Sequence, residues 1–333
     1  MKKLLTILLM FNGLLVLAQG GKVSSTLFLN YHNDLTSGAT QKSAFEVDRA
    51  YLGYEYKFDD RLSAKIIGDV GKDDGSDYTF YLKAAQVDYK ATDWANISIG
   101  MIGLNQFNDQ EKNWGYRYIY KSFQDVSGMG TSADVGLNAE FKLHNTLKMN
   151  VFVLNGEGFK KVQDFYGKHK VGGNLVYNPT NELTFKVYYA EQDSKKLVGT
   201  TVVDNPTVKN LAFFAGYELK TIKFGAEYAR MDDGKKFTDA ALDHDLSGFS
   251  IYSTYYFNKK YAVFGRYDKL ESNKVGTSLV NWNEDKDGNA VLVGLEYSPL
   301  KGVRTSLNFR TWDFEKSTKN DLSYIYLNLE LKF

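Results

Sequence analysis

The feature that most constrains the fold is a period-two alternation of apolar and polar residues along almost the whole chain. In the last segment, Ile325, Leu327, Leu329 and Leu331 alternate with tyrosine, asparagine, glutamate and lysine. A period of two places the two sets on opposite faces of a β-strand. The chain is therefore expected to be built almost entirely from strands.

Sixteen such segments can be counted, most of them nine to fifteen residues long. They span residues 22–33, 44–58, 61–71, 77–90, 94–104, 131–143, 146–154, 169–177, 182–192, 209–219, 222–231, 247–257, 261–271, 289–297, 303–313 and 321–333. Strands of soluble proteins average about 5–6 residues, whereas a tilted transmembrane strand needs about 9–11. Proline, which is excluded from strand interiors, occurs only three times in 333 residues. The lengths favour a membrane barrel over a soluble β-sandwich.

The connections alternate between two lengths. Short turns lie at 59–60, 91–93, 144–145, 178–181, 220–221, 258–260 and 298–302, and longer polar loops lie at 34–43, 72–76, 105–130, 155–168, 193–208, 232–246, 272–288 and 314–320. Aromatic residues such as Tyr56, Phe58 and Phe257 stand beside the short turns, where membrane barrels carry aromatic girdles. The pattern predicts an all-β, up-and-down antiparallel transmembrane β-barrel of about sixteen strands, with short periplasmic turns and longer external loops.

The N-terminus predicts the compartment. Lys2 and Lys3 precede an apolar stretch that ends with a small residue at Ala18, which is typical of a secretory signal peptide. A membrane anchor is the alternative. Residues 1–18 are thus expected to be removed, leaving residues 19–333 as a single barrel domain in the outer membrane of a Gram-negative bacterium.

Composition excludes several function classes. Lys plus Arg (41) and Asp plus Glu (40) nearly cancel, so no basic field would bind nucleic acid. The chain has no cysteine, which excludes disulfides and cysteine-ligated metal sites. Residues 283–288 copy half of an EF-hand loop but place Gly294 where the bidentate carboxylate should be. Neither a cofactor, nor a metal site, nor a catalytic residue is predicted.

Two segments and the C-terminus resemble a known family. Residues 327–333 look like the closing strand by which the barrel-assembly machinery recognises bacterial outer-membrane barrels. Residues 45–54 and 114–123 resemble the phosphate-selective O/P porins found in Bacteroidetes. The resemblance implies a water-filled channel for passive diffusion of small polar solutes or ions, with a weak preference for anions such as phosphate. It also implies contact with the bilayer and lipopolysaccharide, and a homotrimer by analogy with other sixteen-stranded porins.

The longest loop, with 26 residues at 105–130, is the candidate functional site. In the porins that the chain resembles, the third external loop folds into the lumen and narrows it. The predicted constriction residues are Lys112, Trp114, Tyr116, Arg117, Tyr118 and Lys121. The alternative is that part of 114–123 simply extends a strand.

Strand parity also assigns residues to the two sides of the wall. Arg49, Lys65, Arg266 and Arg310 are predicted to face the lumen. Phe213 is predicted to face lipid and Phe214 the lumen, so that an arginine should be tolerated at position 214 but not at 213. In the segment 77–90, Lys83 and Gln86 fall on opposite faces, and only a β-bulge would reconcile them.

Two other functions remain open at this stage. Asp243, His244 and Asp245 form a triplet in a loop just outside a strand, which is compatible with an outer-membrane hydrolase whose imidazole is oriented by a carboxylate. A structural or adhesive surface barrel that does not conduct is the second alternative.

Overall fold

A computed structural model describes residues 21–40, 42–72, 77–163, 167–235 and 240–333. The predicted signal peptide, 1–18, lies outside the described residues. The strands are β1 (Gly21–Asp34), β2 (Ser43–Lys57), β3 (Leu62–Lys72), β4 (Tyr78–Lys90), β5 (Ala95–Gly103), β6 (Ala133–His144), β7 (Leu147–Leu154), β8 (Gly167–Tyr177), β9 (Leu183–Val198), β10 (Thr201–Asp204), β11 (Val208–Glu218), β12 (Ile222–Asp232), β13 (Leu246–Tyr256), β14 (Tyr261–Ser272), β15 (Gly288–Leu300), β16 (Val303–Phe314) and β17 (Leu322–Lys332). Two short helices, α1 (Asn108–Trp114) and α2 (Phe123–Val126), lie between β5 and β6.

Sixteen of these strands form a closed barrel, in which each strand pairs antiparallel with its neighbours along the chain. The barrel closes where β1 pairs with both β2 and β17, so that Leu29 lies between Val47 and Leu329. Closure leaves the barrel without an unpaired edge. The predicted all-β, up-and-down barrel of sixteen strands is confirmed. Among the described residues, no helix is long and apolar enough to span a membrane.

The two faces of the wall differ as the alternation predicts. On β11, the side chain of Phe213 is 45% exposed on the outside, whereas that of Phe214 is 4% exposed on the inside. Leu295, Leu307 and Leu327 are also exposed on the outer face. Inside, polar residues such as Asn328 and Glu330 are buried. An apolar outer face and a polar inner face are what a barrel in a bilayer requires.

A β-bulge on β4 explains the conflicting parity of Lys83 and Gln86. Ile67 pairs with Ala84 and the next residue of β3, Gly68, pairs with Leu82, so Lys83 is the extra residue. The bulge turns Lys83 inward, where its ammonium donates to the hydroxyl of Ser132. Gln86 is buried on the same inner side. The sequence showed that a bulge was needed but not where it would form.

One predicted loop is wrong in its extent. Residues 193–208 were expected to be irregular, but β9 continues to Val198 and pairs with β10 as a hairpin. Gly199 and Thr200 form its two-residue turn, and Gly199 has a positive φ of 63°. Tight hairpin turns favour glycine at such a position because it has no Cβ. Valines at 198, 202 and 203 suit the strands on either side.

Candidate functional site

The segment between β5 and β6 lies inside the barrel. It forms α1, a turn region from 115 to 122, and α2. Gly115, at a φ of 75°, ends α1 and donates its backbone N–H to the carbonyl of Glu111 at 2.8 Å. This left-handed conformation is the usual glycine ending of a helix. The alternative that 114–123 extends a strand is wrong.

Three of the predicted constriction residues attach this segment to the wall. Trp114, Tyr116 and Tyr118 are 1%, 0% and 1% exposed. The ring centroid of Tyr116 lies 4.2 Å from that of Phe264 on β14, and the hydroxyl of Tyr118 donates to Glu296 on β15 at 2.9 Å. Their rings therefore pack against the wall rather than facing open space.

Phe214 belongs to the same buried cluster as Trp114. It faces the inside as predicted, and it also lines a cavity of about 560 Å³ on the inner side of the wall. The expectation that position 214 would tolerate an arginine stays a prediction.

Polar wall residues hold the same segment at both helices. The ammonium of Lys186 on β9 lies 2.8 Å from the carboxylate of Asp109 in α1 and donates to the carbonyl of Gln106 at 3.2 Å. On β12, Glu227 accepts hydrogen bonds from the backbone N–H of Phe123 at 2.9 Å and from the side chain of Gln124 at 3.3 Å. Charge-assisted bonds of this kind are the strong class of hydrogen bond.

The predicted lumen residue Arg266 is a further anchor. Its guanidinium makes two 2.7 Å hydrogen bonds to Asp268 and donates to the carbonyl of Lys121 at 2.6 Å. On β16, Arg304 acts in the same way, donating to the carbonyl of Gly115 at 2.7 Å and pairing with Glu296 at 2.5 Å. A buried cation needs such partners to offset its lost hydration.

Arg310, also predicted to face the lumen, is buried on the inner wall. It donates to Asn308 and Asn328 at 2.8 Å each. Its guanidinium lies 3.7 Å from the centroid of Tyr326. These contacts fix Arg310 within the wall.

Arg117 and Lys121 lie on the side of the segment that faces open space. Arg117 lies 3.2 Å from Glu111 and 3.7 Å from Asp125, and Lys121 lies 3.5 Å from Asp125. Burial raises the pKa of Glu111, and the neighbouring Arg117 guanidinium opposes that rise. The two cations therefore sit in a partly neutralised cluster that still borders a cavity.

That cavity has a volume of about 240 Å³. Its opposite wall includes Arg49, a predicted lumen residue, which lies 3.2 Å from Asp69. Six of its lining residues are basic and three are acidic; the basic ones are Arg49, Lys83, Arg117, Lys121, Lys160 and Lys161. The charged residues that line this cavity are thus predominantly basic.

Lys112 lies on the other side of α1. It is exposed and lines a second cavity, of about 560 Å³, that extends toward the short turns. Glu140, Lys142 and Lys148 share that cavity. Lys65, the remaining predicted lumen residue, is partly buried on β3 and pairs in register with Glu55 and Gln86. Neither lysine lines the cavity that Arg117 borders.

The triplet at 243–245 makes contacts that differ from those of an imidazole oriented by a carboxylate. The imidazole nitrogen of His244 lies 2.7 Å from the carbonyl of Leu242, and its ring packs against Trp282. The carboxylate of Asp245 accepts the backbone N–H of Asp233 at 3.0 Å. Within the described residues, the imidazole is thus held by a backbone carbonyl rather than by the carboxylate that the hydrolase alternative required.

The half EF-hand at 283–288 forms a turn held by its own side chains. Asp287 accepts from the backbone N–H of Ser272 and from the side chain of Asn283, both at 3.0 Å. Asp285 instead pairs with Lys316 at 2.9 Å. The carboxylates thus point to different partners. In the part of the chain that the structure describes, no group of three or more acidic or histidine side chains could hold a metal ion.

Comparison with solved structures identifies the architecture. The outer membrane channel DcaP of Acinetobacter baumannii superposes with a TM-score of 0.71 at 13% identity, over 94% of this chain and 97% of that one. OmpF of Salmonella typhi, in complex with daunomycin, gives 0.68 at 14%, over 94% and 97%. The fold is that of a porin. The anion-selective porin of Comamonas acidovorans gives 0.63 at 11%, over 94% and 99%.

No protein-family model and no curated protein matches the sequence. The identities to the solved porins establish the fold alone. The narrower resemblance to the phosphate-selective O/P porins stays a prediction.

Proposed function

We propose that this protein is an outer-membrane porin, a water-filled channel through which small polar solutes and ions diffuse passively. The observation that carries the proposal is the placement of the 105–130 segment. It enters the barrel and binds to the wall at Lys186, Glu227, Arg266 and Arg304. A segment held to one side of a sixteen-stranded lumen narrows the lumen without filling it.

A weak anion preference is the finer part of the proposal. Arg117 and Lys121 border a cavity in which the basic lining residues outnumber the acidic ones by six to three. Charges beyond a Debye length, about 8 Å at physiological salt, act little on a permeating ion. The charges at the narrowest point therefore outweigh those elsewhere on the wall. The anion-selective porin with the same fold supports this preference, and phosphate is one anion that such a site would accept.

The test is a reversal potential measured in a salt gradient across a planar bilayer that contains the purified protein. The wild type should conduct with a modest anion preference. Arg117→Gln/Lys121→Gln should shift the reversal potential toward cations. The matched control, Lys195→Gln/Lys274→Gln, removes two exposed cations from the external segments and should leave it unchanged.

Two results would contradict this proposal. A protein that inserts but carries no current is not a channel, and the structural or adhesive barrel then becomes the better interpretation. Equal shifts in both double variants would show that the 105–130 segment does not set selectivity. The contacts of His244 give no support to the hydrolase alternative.

The assembly partners are proposed by analogy only. We infer delivery by the N-terminal signal peptide, recognition of the last strand by the barrel-assembly machinery, and a homotrimer in contact with the bilayer and lipopolysaccharide. Chemical crosslinking in intact membranes, followed by gel electrophoresis, would separate a trimer from a monomer.

A further inference from the structure

The short turns of the barrel carry charges of opposite sign in its two halves. The first four turns, which connect strands from β2 to β9, contain four carboxylates and a single arginine. The last three, at 219–221, 257–260 and 301–302, contain four lysines and no carboxylate. These lysines are Lys220, Lys259, Lys260 and Lys301, and we name them the basic arc.

Backbone hydrogen bonds hold the three lysine-bearing turns in one row. The N–H of Tyr256 on β13 donates to the carbonyl of Thr221 in the first of them, and the N–H of Ser298 on β15 donates to the carbonyl of Lys260 in the second, both at 2.8 Å. Neighbouring strands lie about 4.8 Å apart, so that successive turns, two strands apart, are separated by about 10 Å. The basic arc therefore follows the rim of the barrel on one side.

The positive charge of the basic arc is not neutralised by the carboxylates that precede its turns. All four lysines are exposed. Glu218, two residues before Lys220, pairs with Lys223 at 2.7 Å. Glu296 pairs with Arg304 at 2.5 Å. Both carboxylates are thus engaged by cations of the wall, and the lysines at the tips of the turns keep their charge for a partner outside the chain.

Exposed apolar side chains accompany these lysines in every turn. Leu219, Phe257 and Leu300, each within two residues of a lysine of the arc, are 40%, 61% and 71% exposed. Next to them on the outer face, the rings of Tyr261 and Tyr297 stack with centroids 4.9 Å apart. Aromatic and apolar residues at strand ends lie at the level of the lipid headgroups. A lysine beside them can extend its ammonium group to the phosphates of that layer.

The cavity at the mouth of the barrel does not account for the whole arc. Lys259 and Lys260 line a cavity of about 280 Å³ there, together with Lys223. Neither Lys220 nor Lys301 lines that cavity. A cluster that acted only on solutes in the pore would not need lysines outside the mouth. What all four lysines share is their place beside an exposed apolar side chain.

The length of the turns decides which partner the basic arc can reach. The three turns are only two to four residues long, so their lysines stay beside the outer rings and do not project toward a distant macromolecule. We propose that the basic arc binds anionic phospholipids of the leaflet that meets the short turns. Basic residues at a membrane surface attract lipids with a net negative charge. The inference rests on the membrane location in the proposed function, but not on conduction.

The test measures the lipid shell around the purified protein in phosphatidylcholine vesicles. A trace of spin-labelled phosphatidylglycerol or spin-labelled phosphatidylcholine is added, and electron paramagnetic resonance gives the immobilised fraction of each label. One lysine strengthens the attraction to an anionic surface about fivefold. Averaged over all lipids around the barrel, we expect phosphatidylglycerol to associate about twofold more strongly than phosphatidylcholine. Salt at about 1 M should remove most of this preference, because it screens the charges.

Variants locate the preference on the rim. Glutamine at all four positions of the arc should abolish most of it, and arginine at the same positions should retain it because the charge is kept. The four-glutamine variant is Lys220→Gln/Lys259→Gln/Lys260→Gln/Lys301→Gln.

A double variant and its control compare the two halves of the rim. Lys220→Gln/Lys301→Gln removes the two lysines outside the mouth cavity and should lose about half of the preference. The matched control, Arg61→Gln/Lys90→Gln, removes two exposed cations from the other half of the rim, where Lys90 already pairs with Asp93 at 2.6 Å. It should keep the preference of the wild type.

Four outcomes would overturn the inference. They are equal association of both labels with the wild type, an unchanged preference in the four-glutamine variant, equal losses in the two double variants, and a four-glutamine variant that changes only the reversal potential. The last result would assign the lysines to the pore mouth. A wild type that conducts without any lipid preference would leave the porin proposal intact and reject the lipid site. An unchanged circular dichroism spectrum shows that each variant is folded.

Discussion

At the scale of single residues, the direction of a side chain from the wall decides what a charge costs there. Phe213 points outward from the middle of β11. Phe213→Arg should therefore reduce assembly, because an arginine near the bilayer midplane costs about 2–4 kcal/mol. The measurement is the yield of folded protein after refolding into lipid vesicles.

Val176 provides the matched inward control. It lines the 560 Å³ cavity, whereas its neighbour Leu175 is 43% exposed on the outside. Val176→Arg should refold with nearly the wild-type yield, because its guanidinium can reach water. Equal losses in the Phe213 and Val176 variants would mean that the outer face of β11 is not in contact with lipid.

The same positions show how far residue types can be interpreted without a structure. Alternation was sufficient to place Phe213 outside and Phe214 inside, because side-chain direction in a strand depends only on parity. It was not sufficient to show what Phe214 contacts. Phe214 shares a buried cluster with Trp114, which lies in a loop one hundred residues earlier in the chain, and no local pattern indicates such a cluster.

At the scale of elements, the inserted segment depends on a few charged anchors. Lys186→Met would remove the ion pair with Asp109 and the hydrogen bonds to the carbonyls of Asn105 and Gln106, just before α1. Hydrogen bonds to charged groups contribute about 1.5–3 kcal/mol, so the segment should become less firmly attached. We expect a larger mean single-channel conductance with more frequent fluctuations, measured in a planar bilayer.

Lys223→Met is the control for that prediction. Lys223 pairs with Glu218 at 2.7 Å near the short turns, and Glu218 is largely exposed. Ion pairs in contact with water contribute only about 0–1 kcal/mol. The conductance of this variant should equal that of the wild type. If Lys186→Met has the conductance and the fluctuations of the wild type, the aromatic contacts alone are sufficient to hold the segment in place.

The sequence indicated the importance of this element but not its structure. Its length and its aromatic content set the segment 105–130 apart from the other loops. The two helices are only seven and four residues long, too short for a helical period to be recognised. The roles of Trp114, Tyr116 and Tyr118 follow from contacts with strands β13 to β17. The composition of the loop alone could not separate wall-facing rings from pore-facing ones.

At the scale of the whole molecule, the hairpin formed by the end of β9 and β10 is an addition to a complete barrel. The barrel pairings of β9 with β11 end at Gln192, and β10 pairs with β9 beyond that point. Replacing residues 195–204 with Asn-Gly should therefore leave both the conductance and the midpoint of thermal unfolding close to those of the wild type. A large decrease in the conductance or in the midpoint of thermal unfolding would show that the hairpin contributes to the stability of the barrel.

The architecture itself could be predicted almost completely. Every barrel strand overlaps a segment of alternating residues, because one face must be apolar for lipid and the other polar for water. The exceptions share one physical origin. The bulge at Lys83 and the turn at Gly199 depend on backbone geometry at single residues, which a pattern averaged over ten residues does not resolve.

The attachment of the inserted segment also has a consequence for the order in which the molecule is made. Gly115 is bound by an arginine 189 residues further along the chain, and Tyr118 by an asparagine 210 residues further along. Contacts between residues so distant in sequence form late in folding, because the intervening chain must first be organised. The aromatic rings of the segment therefore have no complete binding surface until the last two strands arrive. The last strand also closes the barrel by pairing with the first. Barrel closure and docking of the inserted segment are therefore expected to occur in the same final step of folding.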